Sequence, residues 1–310
     1  DLNLKGKLTN IISHPNVDLF IKLASFSPRK LLASVGKPLP VTTADPKVLQ
    51  LAALSARVKG NTNNISISDG LITIDDSKIN FNGKAADFAK PAITFDLNLD
   101  KIDLDRYLPP PIEKKNVAKS PESKTSTSKP KSIDYTPLRR LVLDGAARIG
   151  TLKVKKAKIN NVILKVRGKN GVFDLNPLTM AMYQGSLESK GTLNVQTDVP
   201  KTTFNLYTKD IQVGPMLNDV LEKDFIEGGL QAQVGLNMNG DNPKTIKKTL
   251  NGKGDLLLKD GAIKEFLAER RFRLLSHHTP ADLETAYLTA EDGTKFGRIN
   301  ETHCIVIAEI

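Results

Sequence analysis

Histidine and cysteine, the side chains most often used to bind transition metals, cluster near the C-terminus of this chain. Three of the four histidines and the only cysteine are found there, as two adjacent pairs, His277 with His278 and His303 with Cys304. The interval between the pairs does not match a common zinc spacing. A single cysteine also excludes a disulfide bond within the chain. The sequence therefore predicts no metal site.

Three aspartates in a short segment, Asp100, Asp103 and Asp105, could suggest a cation site. Their spacing lacks the order of an EF-hand loop, which ends on a bidentate glutamate. We therefore expect these carboxylates to cap helices and turns.

Signatures of catalysis are also missing from the sequence. Residues 251–256 read NGKGDL and contain neither the Lys-Ser/Thr of a P-loop nor a dinucleotide-binding pattern. There is no nucleophile elbow, and His14 lies in a strand-turn context without an evident acid partner. The sequence predicts a protein that is not an enzyme and that needs no cofactor.

The bulk composition indicates a β protein. Hydrophobic residues make up 39% of the 310 residues, tryptophan is absent, and β-branched runs alternate with turn dipeptides. The net charge of +11 could suit nucleic acid, an anionic membrane surface or solubility. Because acidic residues punctuate the positive charge and no aromatic stacking platform accompanies it, nucleic acid is not a predicted partner.

Membrane insertion within this chain is not expected, because no run of about 18 apolar residues occurs. The sequence begins at Asp1 without a methionine or a signal-like segment. We therefore expect a piece of a longer protein, and an upstream membrane anchor remains open.

A regular alternation of apolar and polar residues starts at Ile93 and runs through Phe95 and Leu97 to Leu99, as a half-buried strand requires. After Lys101 the apolar residues resume on the opposite parity. Because the period of a strand is two, such a slip turns later side chains to the other face of a sheet.

The slip recurs in three segments that superimpose on Pro15, Pro91 and Pro200. The apolar row before it contains Leu19, Ile21 and Leu23 in the first copy and Phe204 and Leu206 in the third. The first apolar residues after it are Phe26, Ile102 and Ile211. Three slips in register predict a built-in β-bulge or strand end.

Short helices are predicted after each slip and once more near the end of the pattern. Their start signals are Ser27-Pro28, Asp105, Gly214-Pro215 and Asn242-Pro243. A longer amphipathic helix is predicted near residues 45–58, with Asp45 as its cap. Asp69-Gly70 and Asn170-Gly171 predict two-residue hairpin turns.

These patterns divide the chain into four parts. Residues 1–108 and 138–264 are predicted β-repeat regions. Residues 109–137, rich in Pro, Ser and Lys, predict a disordered linker outside any core. Residues 265–310 lose the alternation and are predicted to be an anomalous tail, truncated or non-native.

Two long segments carry a family resemblance. The run ISISDGLITIDDSKINFNGKAADFAKPAITFDLNLDKIDLDRYLPP from Ile65, and the run LRRLVLDGAARIGTLKVKKAKINNVILKVRGKNGVFDLNPLTMAMYQGSLESKGTLNV from Leu138, resemble the central and C-terminal regions of the AsmA family of bacterial envelope proteins. The resemblance covers approximately Asp1 to Lys264.

The AsmA resemblance implies an inner-membrane anchor, a periplasmic body and a role in moving phospholipid between envelope membranes, with effects on outer-membrane assembly. It also implies an elongated, curved β-sheet with a hydrophobic groove, related to bridge-like lipid transfer proteins. Together with the repeats, it predicts a mainly β, antiparallel repeating sheet with short flanking helices.

The predicted partners are phospholipid acyl chains, held by burial alone. The residues predicted to line the groove are Leu19, Ile21, Leu23, Ile93, Phe95, Leu97, Leu99, Phe204 and Leu206. One alternative is an ordinary sheet face covered by helices. Another is an assembly or scaffold factor that binds outer-membrane proteins through the sheet. Lysines at 153, 155, 156 and 158 suit a solvated strand edge, with contact to anionic head groups as the other interpretation.

Overall fold

The computed structural model describes residues 1–39, 42–109, 133–223 and 226–263, with side chains as far as Ala262, together with the backbone of three later strands. Thirteen strands form one open, curved sheet, so the predicted mainly β class is confirmed. These strands are β1 (Leu2–Thr9), β2 (Asn16–Phe26), β3 (Ala52–Gly60), β4 (Asn64–Ile74), β5 (Ser77–Ala86), β6 (Ala92–Asp103), β7 (Val142–Val154), β8 (Ala157–Lys169), β9 (Val172–Met182), β10 (Gly185–Asn194), β11 (Lys201–Gln212), β12 (Ile226–Asn239) and β13 (Asn251–Ile263).

The strands follow one another in the sheet in the order in which they occur in the chain. Beyond β13 the backbone continues the sheet through β16 (His303–Glu309), β15 (Lys295–Asn300) and β14 (Ala286–Thr289). Neighbours are antiparallel except β6 and β7, which run parallel. A parallel pair requires a crossover connection of a dozen or more residues. Residues 104–141 supply it, and the part of the predicted linker from 110 to 132 lies outside the described residues.

Within the described residues, five short helices connect the strands: α1 (Pro28–Ser34), α2 (Leu104–Tyr107), α3 (Thr136–Arg140), α4 (Val213–Leu221) and α5 (Pro243–Thr249). The four predicted short helices are confirmed, but two of their predicted starts are wrong: Asp103, not Asp105, caps α2, and α4 begins at Val213, before Gly214-Pro215. Ser27 caps α1 by accepting a hydrogen bond from the Lys30 N–H at 3.2 Å, and Asn242 caps α5 in the same way. Proline follows each of these caps, where its missing N–H costs nothing.

The helices lie along the two sides of the sheet that are formed by the ends of the strands, and each of these sides is called an edge here. Because β2, β6 and β11 run in one direction, the helices that follow them, α1, α2 and α4, lie at one edge, called here the α4 edge. Helix α3 precedes β7 and α5 follows β12, so both lie at the opposite edge, called the α5 edge. None of the helices in the described ranges is long and apolar enough to cross a membrane.

The predicted amphipathic helix near residues 45–58 is wrong. Residues 46–50 form turns and bends around the fully buried Val48, and β3 follows. In β3 the apolar residues Leu54, Ala56 and Val58 alternate in the strand period, and the strand pairs with both β2 and β4. Hydrogen bonding to two flanking strands overrides a helical pattern built largely from alanine and leucine.

Of the two predicted hairpin turns, one is confirmed and one is wrong. Asn170 and Gly171 join β8 to β9 with φ of 52° and 77°, the left-handed geometry of a tight hairpin. Asp69 and Gly70 instead lie inside β4, where the pairing with β5 shifts between Ile67 and Gly70. This register shift shows that the pair forms a β-bulge, in which Asp69 has a left-handed φ of 52°.

The predicted parity slips correspond to bulges in two of the three copies. The pairing shifts between Leu23 and Phe26 of β2, and between Thr208 and Ile211 of β11. In the second copy β6 stays paired with β7 through Asp103, where the strand ends and α2 begins. In β11 the bulge contains Asp210, whose φ is 53°. Each extra residue keeps the next apolar side chain on its original face.

One hydrophobic cluster joins a helix to the sheet. Tyr135, Phe173 and Val195 are buried, and partly buried leucines of α3, β7 and β10 pack against them. Tyr135 is only 8% exposed and donates a hydrogen bond from its hydroxyl to the Asp241 carboxylate at 3.1 Å. The placement of residues 109–137 outside any core is therefore wrong at its C-terminal end.

Candidate functional site

The candidate site is one face of the sheet, and strand register determines which residues share it. In β6, the side chains of Ile93, Phe95, Leu97 and Leu99 point to the same side. Directly opposite partners in neighbouring strands share a face, so the pairings can be followed from strand to strand. We call the side that bears Phe95 the apolar face and the other side the polar face.

A single row through Phe95 crosses all thirteen strands without a polar side chain. It contains five glycines and eight aliphatic or aromatic residues. In sheet order it reads Gly6, Leu19, Val58, Ile67, Gly83, Phe95, Gly145, Val166, Leu175, Gly191, Phe204, Leu236 and Gly252.

A second row crosses the first eight strands and is entirely aliphatic. Its members are Leu2, Leu23, Leu54, Ile72, Ile79, Leu99, Ile149 and Val162. The bulge in β4 shifts the parity of that strand by one residue, which is what lets both rows pass through it. The bulges therefore maintain one continuous apolar face.

The neighbouring row through Leu97 contains one polar residue, Ser189, and its hydroxyl is hydrogen-bonded within the sheet. Ser189 lies between Leu178 of β9 and Leu206 of β11 and is fully buried. Its hydroxyl donates a hydrogen bond to the Asn205 carbonyl at 2.9 Å, so it presents no free polar atom to the face.

All nine residues predicted to contact lipid lie on the apolar face. Leu99 is buried at 8% exposure, and the other eight are half-buried. At the β1 end the face is more open, since Leu2, Leu4 and Leu8 are 62%, 56% and 55% exposed. Whether any of the nine touches lipid stays a prediction.

Sequence reasoning missed the glycines of the row and their relation to the phenylalanines. A Cβ on Gly145 would meet the Phe95 ring at 2.1 Å, and one on Gly168 would meet the Phe173 ring at 2.2 Å. Each ring therefore lies across a glycine of the adjacent strand. The only available signal was a glycine in the middle of a strand, which often marks a close approach of this kind.

The polar face is cross-linked by ion pairs between neighbouring strands. Arg57 of β3 bonds both carboxylate oxygens of Asp18 of β2 at 2.9 Å, and this pairing lowers the pKa of Asp18. Arg148 of β7 contacts Asp96 of β6 at 2.9 Å. These pairs are exposed, so each contributes little stability, but they help hold the register in which the apolar residues share a face.

A concavity of about 790 Å³ spans β4 to β9 and is lined mostly by residues of the polar face. Hydroxyl, amide and charged groups surround it, among them Ser66, Asn82, Lys165 and Arg167. Phe95 is the only predicted lipid-contact residue in its lining.

The alternative sites considered from the sequence have structural roles within the described residues. Asp100 accepts hydrogen bonds from the N–H of Lys78 and Lys101, and Asp103 caps α2. The predicted cap role is thus confirmed for Asp103, and a turn role for Asp105, which accepts the N–H of Lys155 and Lys156 between β7 and β8. Asp100 lies within β6, so neither role is confirmed for it. No group of three or more His, Cys, Asp or Glu residues in the described ranges could hold a metal ion. The side chains of His277, His278, His303 and Cys304 lie outside those ranges.

The lysines at the end of β7 are partly neutralised. Lys153 contacts Asp103 at 3.0 Å, and Lys156 contacts Glu222 at 2.5 Å. The Glu222 carboxylate raises the pKa of Lys156, as expected for a salt-bridged ammonium. Both pairs fit the solvated-edge interpretation of these lysines.

Comparison with known proteins supplies the family. The model of the AsmA family matches residues 37–303, most of the chain and past Lys264, where the sequence resemblance was placed to end. No curated protein and no solved structure matches the chain. A match over this length confirms the predicted family, whose members are envelope-associated. The chain is a member of the AsmA family.

Proposed function

We propose that the apolar face binds the acyl chains of phospholipids. On this proposal the chain is a periplasmic, non-catalytic part of an inner-membrane-anchored protein. It moves phospholipid between the envelope membranes and supports outer-membrane homeostasis. The observation that carries the proposal is the uninterrupted apolar row through Phe95 across thirteen strands.

The dimensions of the face suit this ligand. With strands about 4.8 Å apart, a row across thirteen strands extends roughly 58 Å measured along the sheet. An acyl chain in one leaflet spans about 15 Å, half of a ~30 Å hydrocarbon core. Several acyl chains could therefore lie along one row.

Burial alone supplies enough free energy to retain a lipid. Each methylene removed from water contributes about 0.8 kcal/mol, so a few contacts with half-exposed leucine and phenylalanine side chains hold a chain without a specific polar bond. The binding free energy is then similar at every position along the row, so a lipid can move along it. A large exposed apolar patch on a protein also marks a binding surface.

The test is native mass spectrometry of the purified chain, followed by lipid extraction. We expect co-purified phospholipid, and its loss in the double variant Phe95→Asp/Leu97→Asp. The matched control is Thr94→Asp/Asn98→Asp, which adds the same charges to the polar face of the same strand. Lipid retained by a folded Phe95→Asp/Leu97→Asp variant, or a lipid-free wild-type chain, would refute the proposal.

A second candidate function is binding of outer-membrane proteins by strand addition, as an assembly or scaffold factor. It is favoured by β1, which has a hydrogen-bonded neighbour on one side only within the described sheet. The Asp1 carbonyl accepts from the Ala24 N–H at 2.9 Å, so the odd-numbered residues pair with β2 and the Leu4 N–H points to the open side. Leu4→Pro would then block capture of a β-strand peptide while leaving bound phospholipid unchanged.

A further inference from the structure

A surface on the α5 edge combines exposed apolar side chains with cations. Phe88 and Val199, in the turns before β6 and before β11, are 53% and 55% exposed. Exposed basic residues surround them in the same turns and in the helices α3 and α5. We define the basic edge surface as Phe88, Lys90, Arg140, Val199, Lys201, Lys244, Lys247 and Lys248.

Helix α3 makes this surface contiguous. At its C-terminal end the first N–H of β7 bonds the Pro91 carbonyl at 2.8 Å, which attaches the turn of Phe88. Arg139 contacts Asp198 at 2.7 Å and so attaches the turn of Val199. The hydroxyl of Tyr135, at the start of the helix, bonds Asp241 in the loop before α5. Three segments far apart in the sequence therefore form one surface.

The carboxylates in this region are already engaged in hydrogen bonds or ion pairs within the protein. Asp87 accepts the N–H that closes its own turn at 3.2 Å, and Asp134 accepts the N–H of Thr136 at 2.9 Å. Asp198 and Asp241 are engaged with α3, as described. Within the described ranges, no ion pair neutralises any of the six cations of the basic edge surface.

Some cations at the α4 edge are paired internally, since Arg106 contacts Asp45 at 2.8 Å and Lys153 contacts Asp103 at 3.0 Å. The six cations of the basic edge surface have no such ion pair among the described residues, so they are available to an external anion.

We propose that the basic edge surface docks on the surface of an anionic phospholipid bilayer. Lysine and arginine are attracted to anionic head groups within a Debye length of the bilayer, and exposed aromatic and aliphatic residues enter the interfacial region. Six cations around two apolar tips supply both components. The proposal does not depend on lipid binding by the apolar face, because docking engages an edge of the sheet and leaves that face free.

Vesicle sedimentation tests the electrostatic component. The chain is mixed with phosphatidylcholine vesicles that contain or lack phosphatidylglycerol, at low and high salt. We expect binding only to the anionic vesicles, weakened by salt, and at least about tenfold weaker in Lys244→Glu/Lys247→Glu/Lys248→Glu. The control Lys5→Glu/Lys7→Glu/Lys22→Glu makes the same charge change on the polar face of β1 and β2 and should bind like wild type. Equal loss in both variants would overturn the proposed location.

A tryptophan reporter tests which residues enter the interface. The chain has no native tryptophan, so a single introduced residue is read without background. Val199→Trp should show a blue-shifted emission on adding anionic vesicles. Val35→Trp, at the end of α1 on the opposite α4 edge and 59% exposed, should not. An unshifted Val199→Trp in a sedimenting protein would overturn the proposal, as would binding of duplex DNA without binding of vesicles.

Discussion

Asp75 illustrates how one side chain organises the α4 edge. Its carboxylate accepts the N–H of Leu49 at 2.7 Å and of Gln50 at 2.9 Å, together with the hydroxyl of Tyr107 at 2.8 Å. Partial burial by itself would raise the pKa of Asp75, but these hydrogen bonds outweigh it and lower the pKa. Burial, together with the same carboxylate, raises the pKa of the Tyr107 phenol. A segment without regular structure is thereby attached to the β4–β5 turn and to α2.

We predict that Asp75→Asn destabilises the fold by about 1–3 kcal/mol, the range for losing hydrogen bonds to a charged acceptor. Because the folded pKa is depressed, the stabilisation is complete above the unfolded value of about 3.9 and is lost as the pH falls through the folded value. The difference between wild type and variant in urea denaturation should be constant at pH 5–7 and shrink below about pH 4.

The control for this prediction is the adjacent carboxylate. Asp76 has a side chain 75% exposed and one contact, with Arg106 at 3.4 Å. Asp76→Asn should change stability by less than about 0.5 kcal/mol at every pH. A pH-independent effect of Asp75→Asn would show that shape, and not charge, attaches the segment.

At the scale of elements, the sequence predicted what is local and missed what depends on neighbours. The alternation in β6 and the cap-proline pairs of α1 and α5 depend only on residues that are close together in the sequence, and the structure confirms them. The failure at β3 has a physical cause, since its small residues fit either period until β2 and β4 are known. At Asp69-Gly70, left-handed backbone suits a turn and a bulge equally well.

The apolar row could be predicted only in part for the same reason. Phe95 and Phe204 stand out within their strands, whereas Gly145 and Gly191 become members of the row only through cross-strand pairing. The functional assignment likewise came from whole segments that resemble a family and not from any one residue. Burial surfaces lack the fixed spacing that catalytic motifs have.

Packing of phenylalanine over glycine gives a prediction for neighbouring strands. Gly83 and Gly145 flank Phe95 in the same row, but only the Cβ of Gly145 would overlap the ring. At Gly83 the nearest atom is the Thr94 carbonyl oxygen at 3.4 Å. We predict that Gly145→Ala costs about 1–3 kcal/mol of unfolding free energy and that Gly83→Ala costs less.

A double-mutant cycle checks this explanation. If the cost comes from displacing the ring, Gly145→Ala should become nearly neutral in a Phe95→Ala background. Additive effects of the two substitutions would mean that the ring and the glycine do not interact, contrary to the structure.

At the scale of the whole molecule, contacts follow the order of the strands, as in a one-dimensional array. The extensive contacts join strands that are adjacent in the sheet, and the described helices contact only a few strands each. No element in the described ranges ties the β1 end to the β13 end. Stability in such an arrangement is approximately a sum over neighbouring units, as in repeat proteins, and not a property of one shared core. This construction suits the proposed lipid-transport function, because length can be added without redesigning a core.

We therefore predict that damage near one end stays local. Ala56 of β3 is 4% exposed on the apolar face, and Ala56→Asp buries a charge beside Ile21. Amide hydrogen exchange should show lost protection in β1 to β4 and unchanged protection in β9 to β13. Ser55→Asp, the adjacent residue on the polar face opposite Lys22, should leave both regions protected. Loss of protection along the entire sheet in Ala56→Asp would instead require a single cooperative unit, a result that nearest-neighbour strand contacts do not explain.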